Sequence, residues 1–399
     1  MAAIVLYKSV FAQFAICLLT LTYIFRTIVR RVEVFGVGTT HENTNTTGCY
    51  SFGKDIPQVQ GCESIQVDPR TGFVYLACGN RHARTRWLHP DEHYNPVFEQ
   101  LADHILVMDE KNTIHSLKVL ERNTTSNALT PFSQDFRVHG FDIYWDNLDP
   151  TELTFMFVNH QRKGGAISIF KHRVGAGYIE HVKTVKSPLL FSPNDVVATS
   201  RSTFYATNDL RHKRGILHKI EVLLGMPWGH IVYYGPEGIA SKAYNGIAYP
   251  NGIARSPGGG LIYVAASSEP SVYAFRPAYD GALQLAGKTT FRGFVPDNIS
   301  VDAATGELLV SGFLNTFEMF RYNREILFGT DARPAGAIRR LLPSADTRRG
   351  FAEESVLVHN GDLLPSTTTA VVQRRNNVHR MVLGSVMADH IAICEYHHK

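Results

Sequence analysis

From Cys49 onward the apolar residues fall in short runs separated by polar turn chemistry, a strand pattern rather than a helix pattern. Glu63-Ser64-Ile65-Gln66-Val67 leads into Asp68-Pro69-Arg70-Thr71-Gly72 and then Phe73-Val74-Tyr75-Leu76-Ala77-Cys78. Asp297-Asn298-Ile299-Ser300-Val301, Asp302-Ala303-Ala304-Thr305-Gly306 and Glu307-Leu308-Leu309-Val310-Ser311-Gly312 repeat the same device. Each copy has a polar lead-in, a short strand, an Asp-x-x-Thr-Gly turn, and a second strand ending in small residues. Asn194-Asp195 with Val196-Val197-Ala198, and Asn251-Gly252 with Ile253-Ala254, begin two more copies. Looser ones start at His139-Gly140 and at Ser366-Thr367. The lead-ins lie between 47 residues (Asn251 to Asn298) and 76 residues (Glu63 to His139) apart. That spacing suits one four-stranded unit plus loops per repeat. It predicts an all-β fold, a six-bladed β-propeller over residues 49–399, with the lead-ins converging on the central channel. Only Leu217–Leu224 reads as a helix inside this body.

The N-terminus has another pattern. Ser9 to Phe25 carries no charge, with Lys8 before it and Arg26, Arg30 and Arg31 after it. This predicts a helix over residues 1–31 acting as a signal anchor or membrane span, favoured over a cleaved signal peptide because no small-x-small site follows. The polar stretch 32–48 reads as a linker with little order. Three arginines on the C-terminal flank argue for holding that side in the cytoplasm. The sequons at Asn45 and Asn123 argue for a lumenal or extracellular body in the secretory pathway, or a secreted one if the segment is cleaved.

Composition changes this picture little. The 399 residues are 44% hydrophobic and 19% charged, and the net charge of +4 is spread along the chain, which leaves no nucleic-acid footprint. No Walker loop, GxSxG elbow or CxxC pair occurs. Of five cysteines, Cys17 lies in the apolar segment. A bridge from Cys49 to Cys394 would tie the ends of the body together in an oxidising compartment. Cys62 and Cys78 flank the first hairpin one residue out of register, so small buried thiols are the favoured reading and pairing stays open.

The candidate chemistry lies in the lead-ins. Glu63, Asn194, Asn251, Asp297 and Asn298 offer two carboxylates and three amide oxygens, a hard donor set that balances a divalent cation and favours Ca²⁺ over Zn²⁺. Neighbouring residues on a regular strand face opposite ways. Asp297 and Asn298 can therefore share one ion only from an irregular start, which Pro296 makes plausible. The Asn298-Ile299-Ser300 sequon is then expected to be unused.

These segments, with Phe204-Tyr205-Ala206-Thr207-Asn208-Asp209 and Val232-Tyr233-Tyr234, resemble the paraoxonase/arylesterase family from about Cys49 to Cys394. The resemblance implies a propeller with two channel Ca²⁺ ions that hydrolyses lactones and aryl esters. It assigns Glu63, Asn194, Asn251, Asp297 and Asn298 to the catalytic ion. To a second, structural ion it assigns Asp195 and the backbone of Phe141, with Ser64 where the family has a carboxylate. It matches His139 and His160 to a catalytic histidine pair and Cys49–Cys394 to the family disulfide. Leu309 and Phe313 stand where the best-known members carry Trp and His, so the substrate range is expected to differ. On this reading the ion polarises the carbonyl while His139, backed by His160, takes a proton from water. Two alternatives remain: a non-enzymatic calcium-stabilised propeller that binds a partner, and a sugar-lactone hydrolase of the gluconolactonase type. His115, His212, His218 and His359 are expected to be structural.

Overall fold

The period-two runs form strands throughout the body. A computed structural model describes residues 2–87, 103–146, 148–326, 328–342, 351–375 and 378–396. Helix α1 (Ala2–Phe35) precedes strand β1 (Cys49–Phe52). Strands β2 (Ser64–Val67), β3 (Val74–Cys78), β4 (His104–Met108) and β5 (Ile114–Arg122) pair in chain order, with the short helix α2 (Arg81–Trp87) between β3 and β4. The small strand β6 (Leu129–Pro131) caps β5. Next come β7 (Val138–Tyr144), β8 (Glu152–Gln161), β9 (Gly164–Arg173) and β10 (Tyr178–Val185). A parallel contact of β10 with β5, Tyr178 opposite Lys118, fuses these two groups into one nine-stranded sheet.

The later sheets have four strands each. One holds β11 (Pro193–Ala198), β12 (Phe204–Asn208), β13 (Gly229–Tyr234) and β14 (Ala240–Ile247), with helix α3 (Gly215–Leu224) inserted before β13. A second holds β15 (Pro250–Arg255), β16 (Ile262–Ala266), β17 (Ser271–Pro277) and β18 (Leu283–Thr290). A third holds β19 (Val295–Val301), β20 (Leu308–Phe313), β21 (Gly336–Leu342) and β22 (Ala352–His359), with helix α4 (Thr316–Glu325) after β20. The last joins β23 (Thr367–Arg375), β24 (Val378–Ser385) and β25 (Ile391–Glu395) to β1 from the far end of the chain. The leading strands touch in a closed cycle: β2 on β7, β7 on β11, β11 on β15, β15 on β19, β19 on β23, and β23 on β2. Apolar side chains fill the spaces between sheets. Phe141, Phe155, Phe157 and Phe170 are all fully buried in one of these layers, where each ring contributes on the order of 2–3 kcal/mol.

The turn chemistry behaves as its residues dictate. Gly72 and Gly306 both close their Asp-x-x-Thr-Gly turns in the left-handed region, at φ 73° and 74°, and each donates its N–H to the carbonyl of the turn's Asp. The leading strands are irregular at their starts. Register shifts fall between Val138 and Phe141, Pro193 and Val196, Pro250 and Ile253, Pro296 and Ile299, and Thr367 and Thr369. A bulge re-aims side chains that a regular pleat would send to opposite faces, so the irregular start expected at Asp297–Asn298 is found there and in four other leading strands.

Three expectations need amending. The stretch after α1, read as a linker with little order, lies along β22, with Thr44 and Val358 exchanging both backbone hydrogen bonds. Cys62 and Cys78, favoured as buried thiols, are bonded to each other. Cys62 lies before β2 begins, where Gly61 takes φ 53°, so the strand register that separated them does not apply. At the N-terminus a helix is present, but among the described residues no helix is long and apolar enough to cross a membrane. The predicted anchor gains nothing from the structure. Instead the end of α1 meets the body: Arg31 donates to the carbonyls of Ser268 and Leu224 at 2.5 Å each, and Phe35 lies 6.3 Å from Phe320.

His359, at the end of β22, shows how the body depends on pH. It is fully buried, its Nδ1 accepts the N–H of Gly361 at 3.2 Å, and Nε2 donates to Thr367 Oγ1 at 2.9 Å, whose own hydroxyl donates to Leu364 O. A proton on Nδ1 would face the Gly361 N–H, and burial holds this imidazole down to about 4. The folded pKa lies below the unfolded one of about 6.5. The stabilisation is therefore complete above that value and is lost as pH falls toward 4, an upper bound of about 3 kcal/mol. Denaturant melts at pH 7, 5.5 and 4 should show a shallower acid loss for His359→Gln than for the wild type; parallel losses would remove His359 as a cause.

Candidate active site

The bulged starts of the leading strands bring the predicted residues together. Glu63 precedes β2, His139 lies on β7, His160 near the end of β8, Asn194 on β11, Asn251 on β15, and Asp297 and Asn298 on β19; all but His160 are buried. With Asp209, Tyr249 and Phe313 they line a cavity of about 640 Å³, except Asn298, which is not among its lining residues. The C-terminal end of α1 (Arg31, Val34, Phe35) and one side of α4 (Met319, Phe320, Asn323) form its upper wall. His218 on α3 also lines it, so its position is not purely internal as expected. Leu309 instead belongs to the apolar layer between the last two sheets.

Each amide in the donor set uses its nitrogen on the protein. Asn194 Nδ2 donates to Asp209 Oδ2 at 3.3 Å, Asn251 Nδ2 to Ser267 Oγ at 3.1 Å, and Asn298 Nδ2 to the Glu63 carbonyl at 3.4 Å. Asn251 Oδ1 is buried with no protein hydrogen-bond partner among the described residues, a costly state for an amide oxygen unless something else meets it. Among the described residues no group of three or more His, Cys, Asp or Glu is spaced to hold a metal. Ligation here would therefore rest on amide as well as carboxylate oxygens.

Buried carboxylates crowd the site. Burial, and then the neighbouring charge of Glu63, push Asp297 well above the usual carboxylate range, against a hydrogen bond from Asn251. Burial likewise raises Asp209, which accepts hydrogen bonds from Ser192 and Asn194. Tyr249, in the left-handed region at φ 58°, is raised well above its ordinary value by burial and by the charges of Asp209, Asp297 and Glu63. Glu63 is the exception. Burial acts to raise it, but His139 and Arg84 outweigh that and hold it low. A divalent cation among these oxygens would relieve the crowding, so the orphaned Asn251 oxygen and the unbalanced carboxylates fit Ca²⁺.

The second predicted set does not fit in the same way. Ser64, Phe141 and Asp195 are neighbours, with Phe141 N–H donating to Ser64 Oγ at 3.4 Å. Their oxygens are already engaged. The Phe141 carbonyl accepts Gln66 Nε2 at 2.8 Å, and Asp195 accepts the N–H of Val196 at 2.8 Å and of Ile253 at 2.9 Å. Burial raises Asp195 to about 7. Gly140 is in close contact as well: an ideal Cβ there would fall 2.0 Å from Asp195 Oδ1. The set brings a single carboxylate, because Ser64 supplies no charge, against the two carboxylates of the first set.

The histidines form a chain with Glu63. His139 Nε2 lies 2.6 Å from Glu63 Oε1, and His139 Nδ1 lies 3.0 Å from His160 Nε2. Burial, then the charge of His139, hold His160 well below its ordinary value, so it stays neutral. The consistent proton assignment has His160 donating to His139 Nδ1 and His139 Nε2 donating to Glu63. Residues that sequence reasoning missed include Arg84, Asp209 and Tyr249. Asp209 stands at the polar end of the resembling segment Phe204 to Asp209, but no site role was attached to it. Arg84 lies in a segment with no distinguishing pattern. The expected disulfide Cys49–Cys394 is formed. The sequon residues Asn45 and Asn123 are exposed, whereas Asn298 is buried.

The family model Arylesterase matches residues 100–395. Serum paraoxonase/arylesterase 1 of Rattus norvegicus is 26% identical over 336 residues, covering 84% of this chain and 85% of that protein. Serum paraoxonase/arylesterase 2 of Gallus gallus is 28% identical over 319 residues, covering 78% and 80%. Among solved structures, a luciferin-regenerating enzyme aligns with TM-score 0.50 at 12% identity, over 87% of this chain and 94% of its own, a likeness of fold.

Proposed function

The chain belongs to the paraoxonase/arylesterase family, and from that premise we propose that it is a calcium-dependent hydrolase of lactones and aryl esters. The carrying observation is the buried Asn251 oxygen with no protein partner, set beside Glu63 and an Asp297 crowded by negative charge. Glu63, Asn194, Asn251, Asp297 and Asn298 would hold the ion. When bound, Ca²⁺ supplies a positive charge that polarises the carbonyl and stabilises the oxyanion. We count one such ion, because the second set brings a single carboxylate, Asp195, where the first brings Glu63 and Asp297.

The chain's own groups do the rest. The apolar side chains of α1 and α4 on the cavity wall, Val34, Phe35, Met319 and Phe320, would receive a lipophilic acyl or aryl group. His139 is the proton acceptor; for Nε2 to receive a proton from water its contact with Glu63 has to open and the pair has to change tautomer, so that Nε2 is unprotonated and His139 Nδ1–H donates to His160 Nε2. His160, kept neutral by burial, then shares the charge through the 3.0 Å contact at Nδ1. Phe313 on the cavity wall replaces a polar ring of the best-known members, which favours apolar leaving groups.

We read the six leading strands in closed cycle, each with its four-stranded group, as a six-bladed propeller over residues 49–399, with 1–31 as a separate helical segment and 32–48 as the connection. The serum relatives and the two disulfides support a secretory-pathway protein, with Asn45 and Asn123 available for glycans.

The test is hydrolysis of phenyl acetate and a simple lactone with and without a chelator. Activity should fall below detection on chelation and return with Ca²⁺, and calorimetry should count one ion per chain. No activity in saturating Ca²⁺ would sink the enzyme reading, and two ions per chain would sink the single-site reading.

A further inference from the structure

Arg84, on α2, is fully buried, and its guanidinium reaches into the floor of the site. Nη1 donates to Glu63 Oε2 at 3.1 Å, and Nη2 donates to the Val138 carbonyl at 3.0 Å. Nη2 also lies 3.7 Å from Asp103 Oδ2, which accepts the Val138 N–H at 2.7 Å. One guanidinium and its partner carboxylate therefore hold both backbone groups of the residue that precedes His139. The same guanidinium holds the carboxylate whose other oxygen faces His139. Two glycines make the room. An ideal Cβ on Gly79 would lie 2.9 Å from Arg84 Nε and 2.3 Å from Asp103 Oδ1, and one on Gly61, at φ 53°, would lie 3.1 Å from Arg84 Cδ.

A buried arginine can simply tie loops together, but this one is bonded to a single oxygen of a proposed ion ligand. Glu63 and Asp297 supply the negative charge of the donor set, and Arg84 balances Glu63 from behind. We propose that Arg84 is a positioning residue of the active site: a buried guanidinium that holds Glu63 aimed before Ca²⁺ arrives and fixes the Val138–His139 corner. The proposal rests on the calcium reading above. It makes Arg84 and the ion compete for the charge of Glu63, at some cost in affinity, while keeping the site assembled without metal.

The experiment uses the full chain and its Arg84→Gln and Arg84→Lys variants, with Ca²⁺ titrated by calorimetry, thermal melts with and without Ca²⁺, and phenyl acetate kinetics. For Arg84→Gln the metal-free melting temperature should fall more than the Ca²⁺-saturated one. Its half-saturating Ca²⁺ should drop by at least about threefold, because an unbalanced carboxylate binds a cation more tightly. Its kcat should fall by at least about tenfold with KM nearly unchanged, since only the aim of the catalytic groups is lost. Arg84→Lys keeps the charge but not the two-pronged reach, so it should bind Ca²⁺ like the wild type while kcat still falls. Equal losses of melting temperature with and without Ca²⁺, at unchanged affinity, would make Arg84 merely structural and overturn the proposal. If Arg84→Gln does not fold, the Lys variant decides: wild-type kcat would overturn the proposal, and reduced kcat at wild-type affinity would support it. A wild type that binds no Ca²⁺ would overturn the calcium reading itself and this proposal with it.

Discussion

Glu63→Gln should lower turnover of phenyl acetate and of a simple lactone by at least about a hundredfold, the scale of losing one preorganised electrostatic element. The amide keeps the size of the side chain and can still accept from Arg84 Nη1, now at 3.1 Å. It removes the charge that His139 faces at 2.6 Å and one of the two carboxylates available to balance a divalent ion. Glu63→Ala would be a poorer test, because it would leave the buried Arg84 with a weaker set of partners. Breaking one side of a buried pair costs about 3–5 kcal/mol, so misfolding could pass for lost chemistry. Circular dichroism and melting of the Gln variant separate the two. A folded Glu63→Gln protein with near wild-type kcat would remove Glu63 from the catalytic set.

Loss of the Cys49–Cys394 bridge should give the largest change in stability. The bond spans 345 residues of sequence, and on chain-entropy grounds such a loop is worth about 5–6 kcal/mol. Its position strengthens the expectation. β1 comes from the start of the body and completes the last sheet against β25, with Cys49 directly opposite Cys394. Without the bond, the covalent tie across this seam is lost and β1 is held to the last sheet by strand pairing alone. The Cys49→Ser/Cys394→Ser double variant should therefore unfold at much lower guanidinium concentration than Cys62→Ser/Cys78→Ser. That second bond closes only 16 residues and is worth about 3 kcal/mol on the same argument. Equal midpoints for the two variants, or none shifted, would show that closure does not depend on the long-range bond.

Much of this protein could be read along the chain because its repeats are local. Strand alternation, the Asp-x-x-Thr-Gly turns and the polar lead-ins are set by neighbouring residues, and each of the six starts falls at or beside the head of a leading strand. The donor residues could be found for the same reason: Asn194, Asn251 and Asp297 each sit one or two residues into a strand whose start is bulged. Cys49 and Cys394 could be matched as a pair, whereas Cys62 and Cys78 were misjudged. A regular register was assumed where Gly61 breaks it. Helix α4 went unseen because its mean character is polar; its capping residue, Asn315, accepts the Glu318 N–H.

The sequence alone determined the strand-rich body, its repeat, and the hard-oxygen character of the site, since each depends on residue type and short-range spacing. Only the tertiary structure decided how those oxygens are used, because that depends on contacts between residues far apart in the chain. Gln66 donates to the Phe141 carbonyl across 75 residues, and Ile253 donates to Asp195 across 58. Those bonds fall on oxygens of the second predicted ion set, while Asn251 Oδ1 has no protein partner among the described residues. Folding also turned Arg84 inward to Glu63 and laid the end of α1 over the cavity. Burial makes these choices matter: in a medium of low polarity, a charge or an amide oxygen must meet a partner, and only the folded chain determines which one.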